Sequence, residues 1–352
     1  MSLEVSIKKK VKGFHLDVEF KVDQDNFGIL GASGCGKSMT LKCIAGIMDP
    51  DSGYIILNGR VLYDSKKKIN LKPQERNVGY LFQNYALFPN MTVEKNIGIG
   101  FRGQKEEKNE KVRDIIEMFQ LKGLEDKYPK QLSGGQQQRA ALARMLIYEP
   151  EIMLFDEPFS ALDMYLKEEL QLQLADLLYR VNKETIIVTH DRDEVYKLCN
   201  RLMVIDQGRV LACSDTKEMF QKPSLVQVAR LTGCKNISQV NKIDNKTVEA
   251  VDWGITLQVN LEEGQEVTHI GIRAHDFIPL RETKEGEINQ FPCTLGEISE
   301  GPFEWNLLFR TELGKKRIYW KVMKSNLDST LEKESICYLQ IPPERIMILK
   351  KV

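Results

Sequence analysis

The sequence predicts an α/β domain with a mainly parallel sheet, followed by a smaller all-β domain. Three observations carry that prediction. Up to about residue 230, short apolar strands alternate with amphipathic helices, the pattern of a layered α/β fold. One of these strands runs into a glycine-rich loop and then a helix, the arrangement of a phosphate site. After about residue 235 helical periodicity fades, and short strand-like runs recur between glycine turn signals.

Leu3-Glu4-Val5-Ser6-Ile7 and Phe14-His15-Leu16-Asp17-Val18-Glu19-Phe20 alternate with period 2 and read as half-buried strands. Phe27-Gly28-Ile29-Leu30 is a continuous apolar run ending at a glycine, as a buried strand feeding a loop does. Val112, Ile115, Ile116 and Phe119 recur at helical spacing and predict a helix over 106–120. An Ala-, Leu- and Arg-rich run predicts another over 136–148, and 165–181 reads as a third. Ile152-Met153-Leu154-Phe155 and Thr185-Ile186-Ile187-Val188-Thr189 flank that third helix as short buried strands. Farther on, 247–251, 255–259, 267–272, 307–311 and 336–341 read as strands, punctuated by Gly254, Gly264, Gly286, Gly296, Gly301 and Gly314. They predict a small barrel-type β-domain beginning near Gly233, so the chain divides into 1–230 and 231–352.

At 352 residues, two domains are expected and there is ample chain to bury a core in each. Fifty Lys plus Arg balance fifty Asp plus Glu. That balance removes the concentrated positive surface expected of a nucleic-acid binder. The Lys8-Lys9-Lys10 and Lys66-Lys67-Lys68 clusters read as solvated strand ends or loops. The seven cysteines form no CxxC and have no His at zinc-site spacing, so reduced thiols in a cytosolic setting are expected. The N-terminus lacks the apolar run of a signal peptide, and no apolar stretch approaches the ~20 residues of a membrane helix.

Gly31-Ala32-Ser33-Gly34-Cys35-Gly36-Lys37-Ser38 fits G-x-x-x-x-G-K-[ST] between an apolar strand and a helix start. The glycines let backbone N–H groups turn inward around phosphate oxygens, and the helix N-terminus adds its positive end. Lys37 is then expected to reach the β- and γ-phosphates, and the Ser38 hydroxyl to ligate Mg²⁺. Met39 stands beside Ser38, which already supplies the metal ligand. Cys35 reads as a small tolerated loop residue whose alkylation would crowd the phosphates. This loop alone is compatible with kinases, GTPases and many ATPases.

Leu132-Ser133-Gly134-Gly135-Gln136 opens the helix predicted over 136–148 and supplies a second anion-binding helix start. With this LSGGQ the sequence resembles the ATP-binding-cassette (ABC) family. Ile152 to Phe155 lead into Asp156-Glu157 at a strand end, where α/β folds carry their chemistry. Asp156 suits the Mg²⁺ shell, and Glu157 suits the water that attacks phosphorus.

The resemblance implies further roles. Gln83 matches the loop glutamine that senses Mg²⁺ and water, Asp163 lies in the loop that crosses between paired cassettes, and His190 matches the switch histidine on the γ-phosphate. Phe14 is the aromatic candidate for stacking on adenine, with core packing as its alternative role. Nucleotide contacts are expected from Gly31, Ser33, Gly34, Cys35, Gly36, Lys37, Ser38 and Met39. Ser133, Gly134, Gly135, Gln136 and Asp163 are expected to supply the rest.

The implied fold is a P-loop ATPase domain with a helical signature subdomain. The β-domain resembles the OB-like, TOBE-type domain of bacterial importer ATPases. There Gly271-Ile272-Arg273-Ala274-His275-Asp276 departs from their "GIRPE" segment at Ala274 and His275.

The implied activity is hydrolysis of ATP with Mg²⁺, in a head-to-tail homodimer with a phosphate loop and a partner's signature around each ATP. The implied setting is a bacterial or archaeal importer, peripheral on the cytoplasmic face of the membrane. Its permease and solute-binding protein are separate chains, and no nucleic acid is involved. Tyr85-Ala86-Leu87-Phe88-Pro89 is the expected permease-docking stretch. Asn58-Gly59-Arg60-Val61-Leu62-Tyr63-Asp64 and the short lead before the loop resemble molybdate or sulfate importer ATPases, and the β-domain is a candidate oxyanion site. Sugar, polyamine and ferric-iron importers share the frame. A soluble ABC protein acting on nucleic acid is another class, but such proteins usually carry two cassettes or a long coiled coil and neither is read here. A P-loop kinase leaves Leu132–Gln136 unexplained.

Overall fold

A computed structural model of the chain describes residues 2–351 apart from 24–25, 102, 161–163, 182, 263 and 327–335. Two compact units form, Met1–Lys217 and Glu218–Val352.

The first unit contains β1 (Ser2–Val11), β2 (Phe14–Asp23), β3 (Asn26–Leu30), α1 (Lys37–Ala45), β4 (Ser52–Leu57), β5 (Arg60–Asp64), β6 (Ile69–Asn70) and β7 (Val78–Leu81). There follow α2 (Val93–Gly98), α3 (Lys105–Met118), α4 (Gly134–Leu146), β8 (Ile152–Asp156), α5 (Met164–Val181), β9 (Thr185–Thr189), α6 (Arg192–Leu198), β10 (Arg201–Asp206) and β11 (Arg209–Asp215). All eleven strands share one sheet, in the order β6-β5-β4-β1-β2-β11-β10-β3-β9-β8-β7.

Only part of that sheet is parallel. The run β10-β3-β9-β8-β7 is parallel throughout, whereas β6-β5-β4-β1-β2 is antiparallel. The expectation of a mainly parallel sheet therefore holds for the half that carries the phosphate loop and fails for the other. Turn chemistry explains the difference. Asn58 and Gly59 join β4 to β5 with φ of 52° and 77°, the two left-handed residues of a tight hairpin turn. Short links of this kind can connect only antiparallel neighbours.

Burial follows the same division. Every residue of β8 and β9 is buried, because layers cover both faces of a parallel sheet. β2 instead alternates buried and exposed positions. Helices α2, α3 and α4 pack on one another as the helical subdomain. α4 begins two residues earlier than its composition suggests, since Ser133 is its N-cap.

The second unit opens with α7 (Thr216–Gln221), which spans the division, and α8 (Val226–Leu231). The sequence division at 230 falls inside this unit. Val226 N donates to Lys350 O and Lys350 N to Ser224 O, so α8 is tied to the end of the chain. Two five-stranded sheets follow. One runs Ile255–Gln258, Thr247–Ala250, Asn236–Lys242, His269–Ile272, Met347–Leu349 in spatial order. The other runs Ile278–Leu280, Ile336–Gln340, Gln290–Glu300, Glu304–Arg310, Ile318–Met323. Trp253, Phe277, Phe309 and Trp320 lie in the core that they enclose.

All seven cysteines are thiols, and only Cys213 is exposed. No helix among the described residues is long and apolar enough to cross a membrane.

One buried cation anchors the helix behind the phosphate loop. Arg76 is wholly buried. It donates through Nη1 to the carbonyls of Cys43 (2.7 Å) and Ile44 (2.8 Å), through Nε to Leu71 O (2.9 Å) and through Nη2 to Asn70 Oδ1 (2.8 Å). Two of those acceptors lie among the last four carbonyls of α1, and Cys43 O also accepts from Gly46 N at 3.2 Å. Arg76→Met removes all four of these donated bonds, and the expected loss is about 3 kcal/mol or more. A fall in the urea midpoint without a change of slope is the measurement that checks it.

Candidate functional site

The site forms where β3, β9 and β8 end side by side. Leu30 pairs with Thr189, and Asp156 with Val188, so the residues after each strand emerge at one edge. That edge is where open α/β sheets bind ligands.

Residues 31–38 follow β3. Gly34 and Gly36 have φ of 79° and 108°, a backbone open to glycine and closed to most side chains. Gly31 is needed for space: a Cβ there would lie 2.4 Å from Ile205 O and 2.5 Å from Cys35 Sγ. Ser33 is exposed at the loop's tip. Lys37 is buried, and its Nζ donates to Gly31 O and Ala32 O at 3.0 Å each.

Ser38 Oγ donates to Asp156 Oδ1 at 2.6 Å, and Tyr80 OH donates to Asp156 Oδ2 at 2.7 Å. Burial, with the Asp156 carboxylate beside it, pushes the Tyr80 hydroxyl well above its ordinary range, so it stays a neutral donor. The hydroxyl of Ser38 and the carboxylate of Asp156 are hard oxygen donors meeting at one point. That set fits Mg²⁺, which takes one or two carboxylates and fills its shell with water and phosphate oxygens. No cluster of three or more His, Cys, Asp or Glu is available to a metal among the described residues.

Glu157 sits between the Lys37 ammonium and the His190 imidazole. Its Oε1 is 4.0 Å from Lys37 Nζ and its Oε2 is 3.4 Å from His190 Nδ1. Its backbone is left-handed at φ 49°, a strained state for a non-glycine residue. Glu157 N donates to Val188 O at 2.9 Å, and Ser160 Oγ donates to Glu157 O at 3.0 Å, which hold that conformation. Gln83 Nε2 donates to Ser160 Oγ at 3.0 Å, bringing the loop after β7 into the same network.

Ser133, Gly134, Gly135 and Gln136 open α4 elsewhere on the unit. Ser133 Oγ accepts from Gln136 N (3.3 Å) and Gln136 Oε1 accepts from Ser133 N (2.9 Å), a reciprocal capping box. These two bonds stay within the helix start and do not reach residues 31–38. One turn on, Gln138 Nε2 donates to Pro158 O at 3.3 Å, linking α4 to the segment after Glu157.

Residues 16–160 match the model of the family described as ABC transporter. WtpC of Thermococcus kodakarensis, a molybdate/tungstate import ATP-binding protein, is 36% identical over 305 residues, which cover 83% of this chain and 89% of that protein. The chain belongs to the ABC transporter family. It is one of that family's ATP-binding, ATP-hydrolysing subunits. PotA of Oleidesulfovibrio alaskensis, a spermidine/putrescine import ATP-binding protein, is 41% identical over 237 residues, covering 66% of this chain and 60% of that protein. The cassette MJ0796, solved as a dimer with ADP and Pi in a post-hydrolysis state, superposes with a TM-score of 0.52 at 27% identity. That match covers 61% of this chain and 99% of that one.

In this ABC transporter ATPase, Lys37, Ser38, Asp156, Glu157 and His190 come together in one chain, with Gln83 joined through Ser160. Phe14 is half-buried and packs on the core beside the loop. A Cβ on Gly36 would come 3.1 Å from its ring. Met39 also packs on that core, while Thr40 turns its hydroxyl to Gly36 O at 3.0 Å. Asp163 lies outside the described residues. Tyr80 and Ser160 complete the network. The sequence marked Ser160 only as the first residue of the Ser160-Ala161-Leu162-Asp163 stretch expected to cross between cassettes, and Tyr80 only by its place three residues before Gln83.

The Cys35 thiol is buried in the core beneath the loop, and burial raises its pKa. Brief alkylation of the folded chain is therefore expected to label Cys213 and leave Cys35 and ATP affinity untouched. Peptide mass mapping with a nucleotide titration checks this.

Proposed function

We propose that this chain energises solute import, hydrolysing ATP as the peripheral subunit of a membrane complex. The convergence of Lys37, Ser38, Asp156, Glu157 and His190 at one sheet edge is the observation that carries the catalytic reading. Import is supported by the two relatives compared above, both import ATP-binding proteins.

In this reading the N–H groups of residues 31–38 and the Lys37 ammonium hold the phosphates of ATP. Ser38 and Asp156, with Gln83 nearby, would hold Mg²⁺, which supplies positive charge to the phosphate oxygens. Glu157 orients the attacking water, and its strained backbone and Ser160 contact keep the carboxylate aimed. His190, within reach of Glu157, contacts the γ-phosphate. Ser133 to Gln136 of a second copy close over the same ATP, giving a head-to-tail homodimer with Asp163 at the crossing. The MJ0796 dimer supports that pairing. Permease subunits carry the pore at the cytoplasmic face of the membrane, and a solute-binding protein delivers to them.

The expected solute is an oxyanion such as molybdate or sulfate, supported by the WtpC relative. Asn58-Gly59 supports it little, because a hairpin turn accounts for those residues whatever the cargo. Spermidine or putrescine is the second reading, favoured by the 41% identity to PotA.

Glu157→Gln is expected to slow steady-state hydrolysis by about 10²-fold or more while ATP still binds, because positioned acid–base groups contribute that much. Turnover equal to the parent removes Glu157 from the water. Equilibrium dialysis of the purified chain with molybdate, tungstate, sulfate and spermidine tests the β-domain as a regulatory ligand site. Saturable oxyanion binding supports the first solute, spermidine binding the second, and no binding leaves the β-domain a dimer-stabilising one.

A further inference from the structure

His190 follows β9 directly and brings Nδ1 to 3.4 Å from Glu157 Oε2, yet its side chain is 56% exposed. Packing therefore does little to aim the imidazole, and its direction is set by the backbone on either side.

Asp191 fixes that backbone. Its N–H donates to Thr189 Oγ1 at 3.0 Å, closing a turn around His190. Its Oδ1 accepts from Asp193 N at 2.8 Å and caps α6. Its other oxygen, Oδ2, accepts from Lys167 Nζ at 2.6 Å.

Lys167 stands in the first turn of α5 and reaches a second carboxylate of the α6 start, with Nζ 2.6 Å from Glu194 Oε1. Asp191 and Glu194 are three residues apart, a spacing that puts two side chains on one face of a helix, so a single ammonium bridges both. The Glu194 side chain is 2% exposed, and its Oε2 is buried with no hydrogen-bond partner among the described residues. A buried carboxylate in that state depends on its ion pair. The helix dipole already favours acidic residues at this end, so capping alone does not call for a lysine from another helix. A second tie joins the same two helices at the far end of α6, where Lys197 Nζ donates to Gln171 Oε1 at 3.2 Å.

We propose that Lys167 is a positioning residue for His190. By holding Asp191 and Glu194 it pins the start of α6 to α5, and the turn that carries the imidazole is held with it, facing Glu157. The inference rests on the reading of His190 as the γ-phosphate contact, and the effect of Lys167 on hydrolysis is routed through that histidine.

The experiment measures steady-state hydrolysis, ATP affinity and melting temperature of the full chain. It compares the parent with Lys167→Met, Lys167→Arg, Lys197→Met, His190→Ala and the Lys167→Met/His190→Ala pair. Lys167→Met is expected to lower kcat by about 10²-fold, the loss that a misplacement of about 1 Å causes, with ATP affinity within about twofold of the parent. Lys167→Arg still offers N–H donors to both carboxylates and is expected to recover kcat to within about threefold. Lys197→Met breaks the other tie and is expected to keep the parent's kcat. In the His190→Ala background, Lys167→Met is expected to cost less than about twofold more, because residues that act as a unit are not additive.

If His190→Ala turns over like the parent, the γ-phosphate reading of His190 falls and the inference falls with it. If His190→Ala is slow but Lys167→Met keeps the parent's kcat, that reading stands and the role of Lys167 is overturned. The same fractional loss from Lys167→Met with and without His190 also overturns it. A fall in ATP affinity and melting temperature in step with kcat makes Lys167 a fold residue, and the proposal fails. Should Lys167→Met not fold, Lys167→Met/Glu194→Gln, which leaves no unpaired buried charge, takes its place in every comparison.

Discussion

Ser38 and Asp156 are 118 residues apart in the chain and share a hydrogen bond of 2.6 Å. The rest of the catalytic edge depends on that closure. It requires β3 and β8 to end at the same level with β9 between them, and the parallel register supplies this. A shift of one residue in either pairing would turn Asp156 to the other face of the sheet. The register is strongly specified because β8 and β9 are buried on both faces. The apolar composition of those strands is therefore a positional requirement of the site as well as a source of core stability.

The polar groups at that edge are supported rather than merely adjacent. Asp156 accepts from two hydroxyls, Glu157 faces a cation and an imidazole, and Ser160 joins Glu157 to Gln83. A buried charge left without such partners is destabilising by several kcal/mol. The strained backbone of Glu157 sits where this support is densest. Strain of that kind persists only where its surroundings over-determine it.

Charge balance across the chain is compatible with binding a highly charged nucleotide, since the site works through a few placed groups. One buried lysine, the N–H groups of one loop and the start of one helix provide a local field, which a low-dielectric setting strengthens. A positive surface over the whole molecule is unnecessary. The β-domain has a core of its own around Trp253, Phe309 and Trp320, so its sequence is free to follow a separate requirement.

What the sequence determined by itself was local. Residues 31–38 read as a phosphate loop because glycine spacing and a following helix are encoded within a dozen residues. Ser133-Gly134-Gly135 read as a helix start because an N-cap residue and its glycines directly precede the Ala-, Leu- and Arg-rich run. Strands β3, β8 and β9 were legible from their continuous apolar runs. Tertiary structure decided the rest, because it depends on pairings between distant segments. It made half of the sheet antiparallel through turns such as Asn58-Gly59, and it turned Cys35 into the core and brought Tyr80 to Asp156. It set α8 against the chain's end, and it laid Arg144 across the carbonyls of Tyr85 and Ala86, 59 and 58 residues away. Periodicity carries no information about such contacts. They arise only when register and burial bring the segments together.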